Sequence, residues 1–131
     1  MNIKYTTELL HNEDLYELYE ISGWNHYLQL SSYELNKAMK QSFYVVYAYL
    51  DGMLIGTGRV ISDGVINGYL CGLGVHPSYR SQGIGREITR RLLEKCEENK
   101  LHPQLFCEEK LVPYYEHFGL KVFAVGMKTN I

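Results

Sequence analysis

The residues in this chain best suited to chemistry form one short run, Arg80-Ser81-Gln82-Gly83-Ile84-Gly85-Arg86. Glycine at 83 and 85 removes the Cβ atoms that would hold a ligand off the backbone, so consecutive N–H groups can converge on one oxyanion. A helix starting at Ile84 would add the positive end of its dipole, and Arg80 and Arg86 add full charges. The pattern Arg80-x-x-Gly83-x-Gly85 therefore predicts an anion-gripping turn between a strand and a helix. Two rival phosphate loops fail on their own terms. A dinucleotide fingerprint needs a third glycine where Ile88 stands, and a Walker loop needs Lys then Ser or Thr where Arg86 and Glu87 stand.

Other groups could handle a second ligand. Arg59, on a predicted central strand, can hold a carboxylate through a bidentate pair, and Asp63 nearby can hold an ammonium; an amino acid would satisfy both. The same two side chains could instead pair locally at the strand end. Gly23-Trp24-Asn25-His26-Tyr27 reads either as a helix connector packed by Trp24 or as a substrate wall formed by Trp24 and Tyr27. Cys71, Cys96 and Cys107 are odd in number and hold no Cys-x-x-Cys pair, which suggests neither a disulfide framework nor a metal site. Cys71 and Cys107 fall in predicted strands, but no His with Asn or Asp can be placed beside either to make it a nucleophile.

These residues need elements to position them. Ile3 to Thr6 reads as a short strand, and Asn12 offers an N-cap for a helix to about Ser22, ended by Gly23. Ser31 and Glu34 form a capping box for a second helix burying Leu35, Ala38 and Met39. From Phe43 the period becomes that of strands: 43–50, an Asp51-Gly52 turn, 53–61, a turn at Ser62-Asp63-Gly64, then 65–75. Gly72 and Gly74 inside the third of these strands predict a bulge or the close approach of a ligand or another backbone. Ile84, Ile88, Leu92 and Cys96 recur at four-residue steps, the apolar stripe of a helix lying on the sheet. Pro103 bars its continuation; a strand over 104–107, a short helix from Pro113 to His117 and a last strand over 120–127 complete the order β-α-α-β-β-β-α-β-α-β.

The 131 residues suit one domain, 1–131, with one core. A formal charge of −2 argues against nucleic acid as a partner. No apolar run approaches a bilayer span, and Met1-Asn2-Ile3-Lys4-Tyr5 lacks a signal-peptide core, so a soluble cytoplasmic protein without a membrane partner is expected.

Arg80-x-x-Gly83-x-Gly85 resembles the acyl-CoA pyrophosphate loop of the GNAT superfamily of N-acetyltransferases. Tyr69 to Val75 resembles the strand before that loop, and Tyr114-Tyr115-Glu116-His117-Phe118-Gly119-Leu120 resembles the segment closing the fold, with Leu120 in place of the usual Phe. The resemblance covers the chain from about Phe43 onward. It implies a single α/β (α+β) domain with a mixed, mostly antiparallel sheet flanked by helices. The strands at 70–75 and 105–107 would run parallel and splay, admitting the pantetheine arm of acetyl-CoA beside Leu73, Gly74 and Val75, while 80–86 holds the pyrophosphate. Tyr115 matches the family's proton donor to the leaving thiolate.

The base is open. The family often has a carboxylate where this chain has Cys71 and Gly72, and Glu108 replaces a common Asn; Glu108, Asp63, His117 or a water chain are the options. The implied activity is acetyl transfer from acetyl-CoA to the primary amine of a small molecule by direct attack, without a metal. A peptide N-terminus, an antibiotic amine and a noncatalytic acyl-CoA-binding module are the alternatives. A homodimer is left open.

Overall fold

The structure, a computed structural model, describes residues 1–130. Five strands form one sheet in sequential order: β1 (Lys4–Thr6), β2 (Tyr44–Leu50), β3 (Met53–Ile61), β4 (Asn67–Val75) and β5 (His102–Leu105). The first four are mutually antiparallel, and β4 and β5 run parallel. The parallel pair follows from the connection between them, the helix α4 (Ile84–Glu98), because only a crossover returns the chain to the same end of the sheet. Its predicted stripe of Ile84, Ile88, Leu92 and Cys96 is buried on one face of the sheet with Val46, Ile55 and Val60.

The opposite face carries α1 (Asp14–Ile21), α2 (Asn25–Leu28) and α3 (Ser32–Lys40), whose Leu15, Leu18, Tyr19, Leu35 and Met39 pack on Val45, Tyr47 and Tyr49. Ala38 is only half-buried at the edge of this cluster. The predicted capping box closes α3: Ser31 Oγ accepts from the Glu34 N–H at 3.1 Å, and Glu34 Oε1 from the Ser31 N–H at 2.9 Å.

Three local expectations change. Asn12 does not cap α1, because its carbonyl accepts from Ser32 Oγ and Asn36 Nδ2 of α3; the helix starts at Asp14. The connector after Gly23 contains the extra turn α2, fixed by the buried Asn25 amide, which both donates to and accepts from the backbone of Leu30 at 2.9 Å. The last strand does not form. The 120–127 segment is irregular and largely exposed beside Phe106, since the edge it would join, β5, is four residues long and includes Pro103, which has no N–H to give a ladder.

Among the described residues, no helix is long and apolar enough to cross a membrane.

Candidate active site

Two features of β4 define the site. Its ladder with β5 ends at the Leu70–Leu105 pair, yet β4 continues to Val75, so its edge over residues 71–75 has no strand partner on the β5 side. At about 3.3 Å per residue this leaves roughly 13 Å of backbone edge beside an opening gap. Its register with β3 also slips by one residue between Thr57–Gly74 and Arg59–Cys71. The extra residue is accommodated at Gly72, whose φ of +64° a side chain would strain.

The gap leads to the predicted turn. Ser81 and Gly83 adopt left-handed φ values of 63° and 86° on either side of Gln82, which folds the segment back on itself at the head of α4. Gly83 is the N-cap residue and supplies no side-chain cap, so no side chain competes for the first N–H groups of this fifteen-residue helix. A concave row of donors at a dipole's positive end is an oxyanion receptor.

The side chains around the turn divide. Arg80 folds back and donates from Nε to the Val75 carbonyl at 3.1 Å, holding the strand end against the turn. Arg86 lies 5.9 Å over the Phe118 ring. Ile84 is buried in the core, so only its backbone faces the turn. His76, also buried, accepts the Ser78 N–H on Nδ1 at 3.0 Å and shapes the chain between strand and turn.

The short helix α5 (Val112–Glu116) brings two phenols to the far side of the gap. A Cβ at Gly85 would lie 3.7 Å from both the Tyr114 hydroxyl and Val75 Cγ2, which places that hydroxyl at the turn end of the β4 edge. The Tyr115 ring meets it edge to face at 5.0 Å. Burial, then Tyr114, then Cys107 push the Tyr115 phenol above its ordinary pKa, so it stays protonated at neutral pH. Tyr115 lines a cavity with Leu105, Phe106 and Cys107, the end of β5 and the residues that follow it.

On the other face of β4, opposite α4, two glycines make room for side chains that the sequence did not connect to them. A Cβ at Gly74 would overlap Cη2 and Cζ2 of Trp24, so the indole lies directly on the strand, its ring edge to face with Tyr19 at 5.1 Å. A Cβ at Gly72 would sit 2.9 Å from Nη1 of Arg59. Trp24 and Arg59 thus come together over neighbouring glycines of β4. The close approach predicted from Gly72 and Gly74 is made here by an indole and a guanidinium. Tyr19, Tyr47, Tyr69 and Cys71 surround them, and only an alternation pattern along β2 and β4 marked them as sharing this face.

The other expected site residues lie apart. Asp63 does not pair with Arg59: its Oδ1 accepts from the Val65 and Ile66 N–H groups at 2.8 and 2.9 Å, and these bonds hold its carboxyl below the usual range. Tyr27 is 80% exposed on α2, and His117 is exposed. Glu108 is exposed too, with Lys110 Nζ at 3.5 Å. Burial pushes the Cys71 thiol up, against a smaller downward pull from Arg59, so it is a poor source of thiolate.

Comparison with known proteins agrees with this architecture. The Arabidopsis thaliana protein GCN5-related N-acetyltransferase 2, chloroplastic, is 28% identical over 76 residues, a match that takes in 57% of this chain and 30% of that protein. The chain spans about a third of the length of such plant relatives. Among solved structures, a probable acetyltransferase from meticillin-resistant Staphylococcus aureus superposes with a TM-score of 0.80 at 22% identity, covering 99% of this chain and 100% of that one. A predicted acetyltransferase from Clostridium acetobutylicum, solved with acetyl-CoA, has a TM-score of 0.69 at 16% identity, covering 98% and 96%. The profile of the Acetyltransferase (GNAT) family matches residues 9–120, and the chain, with its splayed β4 edge leading into a glycine turn at the head of α4, belongs to that family.

Proposed function

We propose that this protein is an acetyl-CoA-dependent N-acetyltransferase that acetylates the primary amine of a small molecule. The observation carrying the proposal is the continuity of the unpaired β4 edge with the uncapped N-terminus of α4: one end suits a chain of amides, the other a pyrophosphate. The residues fit acetyl-CoA on both counts. Backbone N–H groups of 82–85 would hold the phosphates, and the backbone of Leu73 to Val75 would pair with the pantetheine arm. Tyr114, at the turn end of that edge, would contact the arm near the phosphates.

Bound there, acetyl-CoA supplies a thioester whose carbonyl carbon the amine attacks, and the C–S bond breaks to leave an amide and CoA. This chain's groups then have two protons to manage. Tyr115, kept neutral by burial, donates its phenolic proton toward sulfur. The ammonium gives one proton to water before attack, because Glu108, Asp63 and His117 lie exposed or engaged elsewhere, and the second proton that the nitrogen sheds as the amide forms returns the Tyr115 phenolate to phenol. Free N–H groups on the β4 edge are available to the carbonyl oxygen as it gains negative charge.

The test is calorimetric titration with acetyl-CoA together with thiol detection during incubation with an amine panel. Wild-type protein is expected to bind acetyl-CoA and to release CoA only when an amine is present. Gly83→Val, which puts a branched side chain where φ is +86°, should stay folded and lose affinity for acetyl-CoA. Unchanged affinity in a folded Gly83→Val protein would remove the turn from the cofactor site. Binding with no CoA release across the panel would leave an acyl-CoA-binding module.

A further inference from the structure

Arg59 has no ion-pair partner among the described residues. It sits on β3 opposite Cys71 of β4, on the face that carries α1 and α3. Its Nε is buried and makes no hydrogen bond, and among the described residues no carboxylate forms a salt bridge with it. Asp63, the nearest acid in sequence, is committed to its own turn. The groups that do face the guanidinium are Tyr19, Tyr47, Tyr69 and Cys71, and all are neutral. Burial is the largest influence on each, and every one is held above its ordinary pKa despite Arg59, which also hydrogen-bonds the Tyr19 phenol; Tyr47 is pushed up to about 12. The half-buried guanidinium therefore stands among phenols and a thiol with no carboxylate to balance its charge, and with its buried Nε–H unspent.

Its location says what that would be. Arg59 Nη1 lies over Gly72, where the free β4 edge begins, and Trp24 lies over Gly74 beside it. On the reading of the protein as an N-acetyltransferase, the thioester is presented at this stretch of β4, so a ligand held by Arg59 places its remaining atoms within reach of the reacting carbon. A guanidinium offers a fork of parallel donors that matches a carboxylate or a phosphate. The indole of Trp24 and the ring of Tyr19 form an apolar wall next to it.

We propose that the acceptor is an amine that carries its own oxyanion group, a carboxylate or a phosphate, and that Arg59 receives this group in the recess bounded by Trp24, Tyr19, Tyr47, Tyr69 and Cys71.

The experiment compares acceptors that differ only in the anion. Phenylalanine is set against phenylalaninamide and phenethylamine, and ethanolamine phosphate against ethanolamine, with CoA release and calorimetric binding both measured. The anionic member of at least one series should have a kcat/KM about 10- to 100-fold above its neutral counterparts, the range for a charge-assisted hydrogen-bonded pair. The favoured series identifies the oxyanion. Arg59→Gln should erase that preference through the acceptor's KM while leaving acetyl-CoA affinity unchanged. Arg59→Lys, which keeps the charge but not the fork, should retain part of it.

Because no carboxylate pairs with the guanidinium, Arg59→Gln, which can still hydrogen-bond the Tyr19 phenol, should melt close to wild type without ligand; a large drop would assign Arg59 to the fold and overturn the proposal. Equal turnover of anionic and neutral amines by wild type, or a preference that survives in Arg59→Gln, also overturns it while leaving the transferase reading standing. Arg59-dependent binding of the anionic amines with no CoA release would do the reverse, sustaining the recess and ending the transferase reading. Absence of any binding or turnover by the anionic amines would overturn the recess.

Discussion

Replacing Gly74 by alanine tests the contact between β4 and Trp24. The backbone at Gly74 does not have positive φ, so alanine adds no conformational strain there. The consequence is steric: the new methyl would overlap Cη2 and Cζ2 of Trp24 and lie 2.9 Å from Cζ3. The indole is the rigid part of its side chain and cannot bend away, so Trp24 must leave β4 and with it the edge-to-face contact to Tyr19. Overpacking of this kind costs about 1–3 kcal/mol, and loss of the aromatic pair, about 0.5–1.5 kcal/mol, is part of how that cost is expressed. Against it, alanine restricts the unfolded chain and returns about 0.4–1 kcal/mol.

The net loss is about 1–2 kcal/mol, which for a domain of this size lowers Tm by roughly 3–10 °C. Urea unfolding followed by far-ultraviolet circular dichroism should show a lower midpoint with an unchanged slope. The same substitution in a Trp24→Ala background isolates the contact. With the indole gone, Gly74→Ala should be neutral or stabilising by up to about 1 kcal/mol, giving a coupling energy of about 1–3 kcal/mol between the two positions. Equal destabilisation in both backgrounds would refute the placement of Trp24 on β4.

Two further outcomes probe the chemistry and the electrostatics. Tyr115→Phe, which keeps the ring but deletes the hydroxyl, should bind acetyl-CoA normally and lose about 10²–10⁴-fold in turnover. Tyr114→Phe, at the turn end of the edge, should instead raise the KM for acetyl-CoA. Stopped-flow single-turnover rates separate the two, and full activity of Tyr115→Phe with chemistry rate-limiting would pass the acid's role to another group. On the surface of α4, Arg90, then burial acting in the opposite sense, then Arg91 set the Glu87 carboxyl, with a net depression to about 2. Its contribution is therefore present above pH 4.5 and is lost as pH falls toward 2. Because the pair is solvent-screened, Glu87→Gln should flatten the acid limb of the stability–pH curve by no more than about 1 kcal/mol, and an unaltered limb would show that the ion pairs contribute nothing.

The backbone of the glycine turn was legible in the sequence because its parts are contiguous. Arg80 to Arg86 carry both the left-handed positions and the helix start within a few residues, and local backbone chemistry suffices to specify them. The stripe on α4, the Asp51-Gly52 hairpin and the Ser31–Glu34 capping box were readable for the same reason. Even the bulge could be anticipated, since glycines inside a strand ask for one.

What filled the space those glycines left could not be read, because Trp24, Arg59 and β4 belong to distant segments that only the packing of α1 and α2 on the sheet brings together. Local competition also misled. Asp63 looked like a partner for Arg59, but hydrogen bonds to N–H groups two and three residues ahead claim its carboxylate first. The apolar 120–127 run looked like a strand, but strand propensity becomes a strand only where an edge offers donors and acceptors, and β5 is too short to do so. Sequence thus determined most of the elements and the glycine turn, whose interactions lie close along the chain. Tertiary structure alone decided which side chains share the helix-covered face of β4 with Arg59, because those contacts depend on sheet register, the bulge at Gly72 and the way the helices settle on the strands.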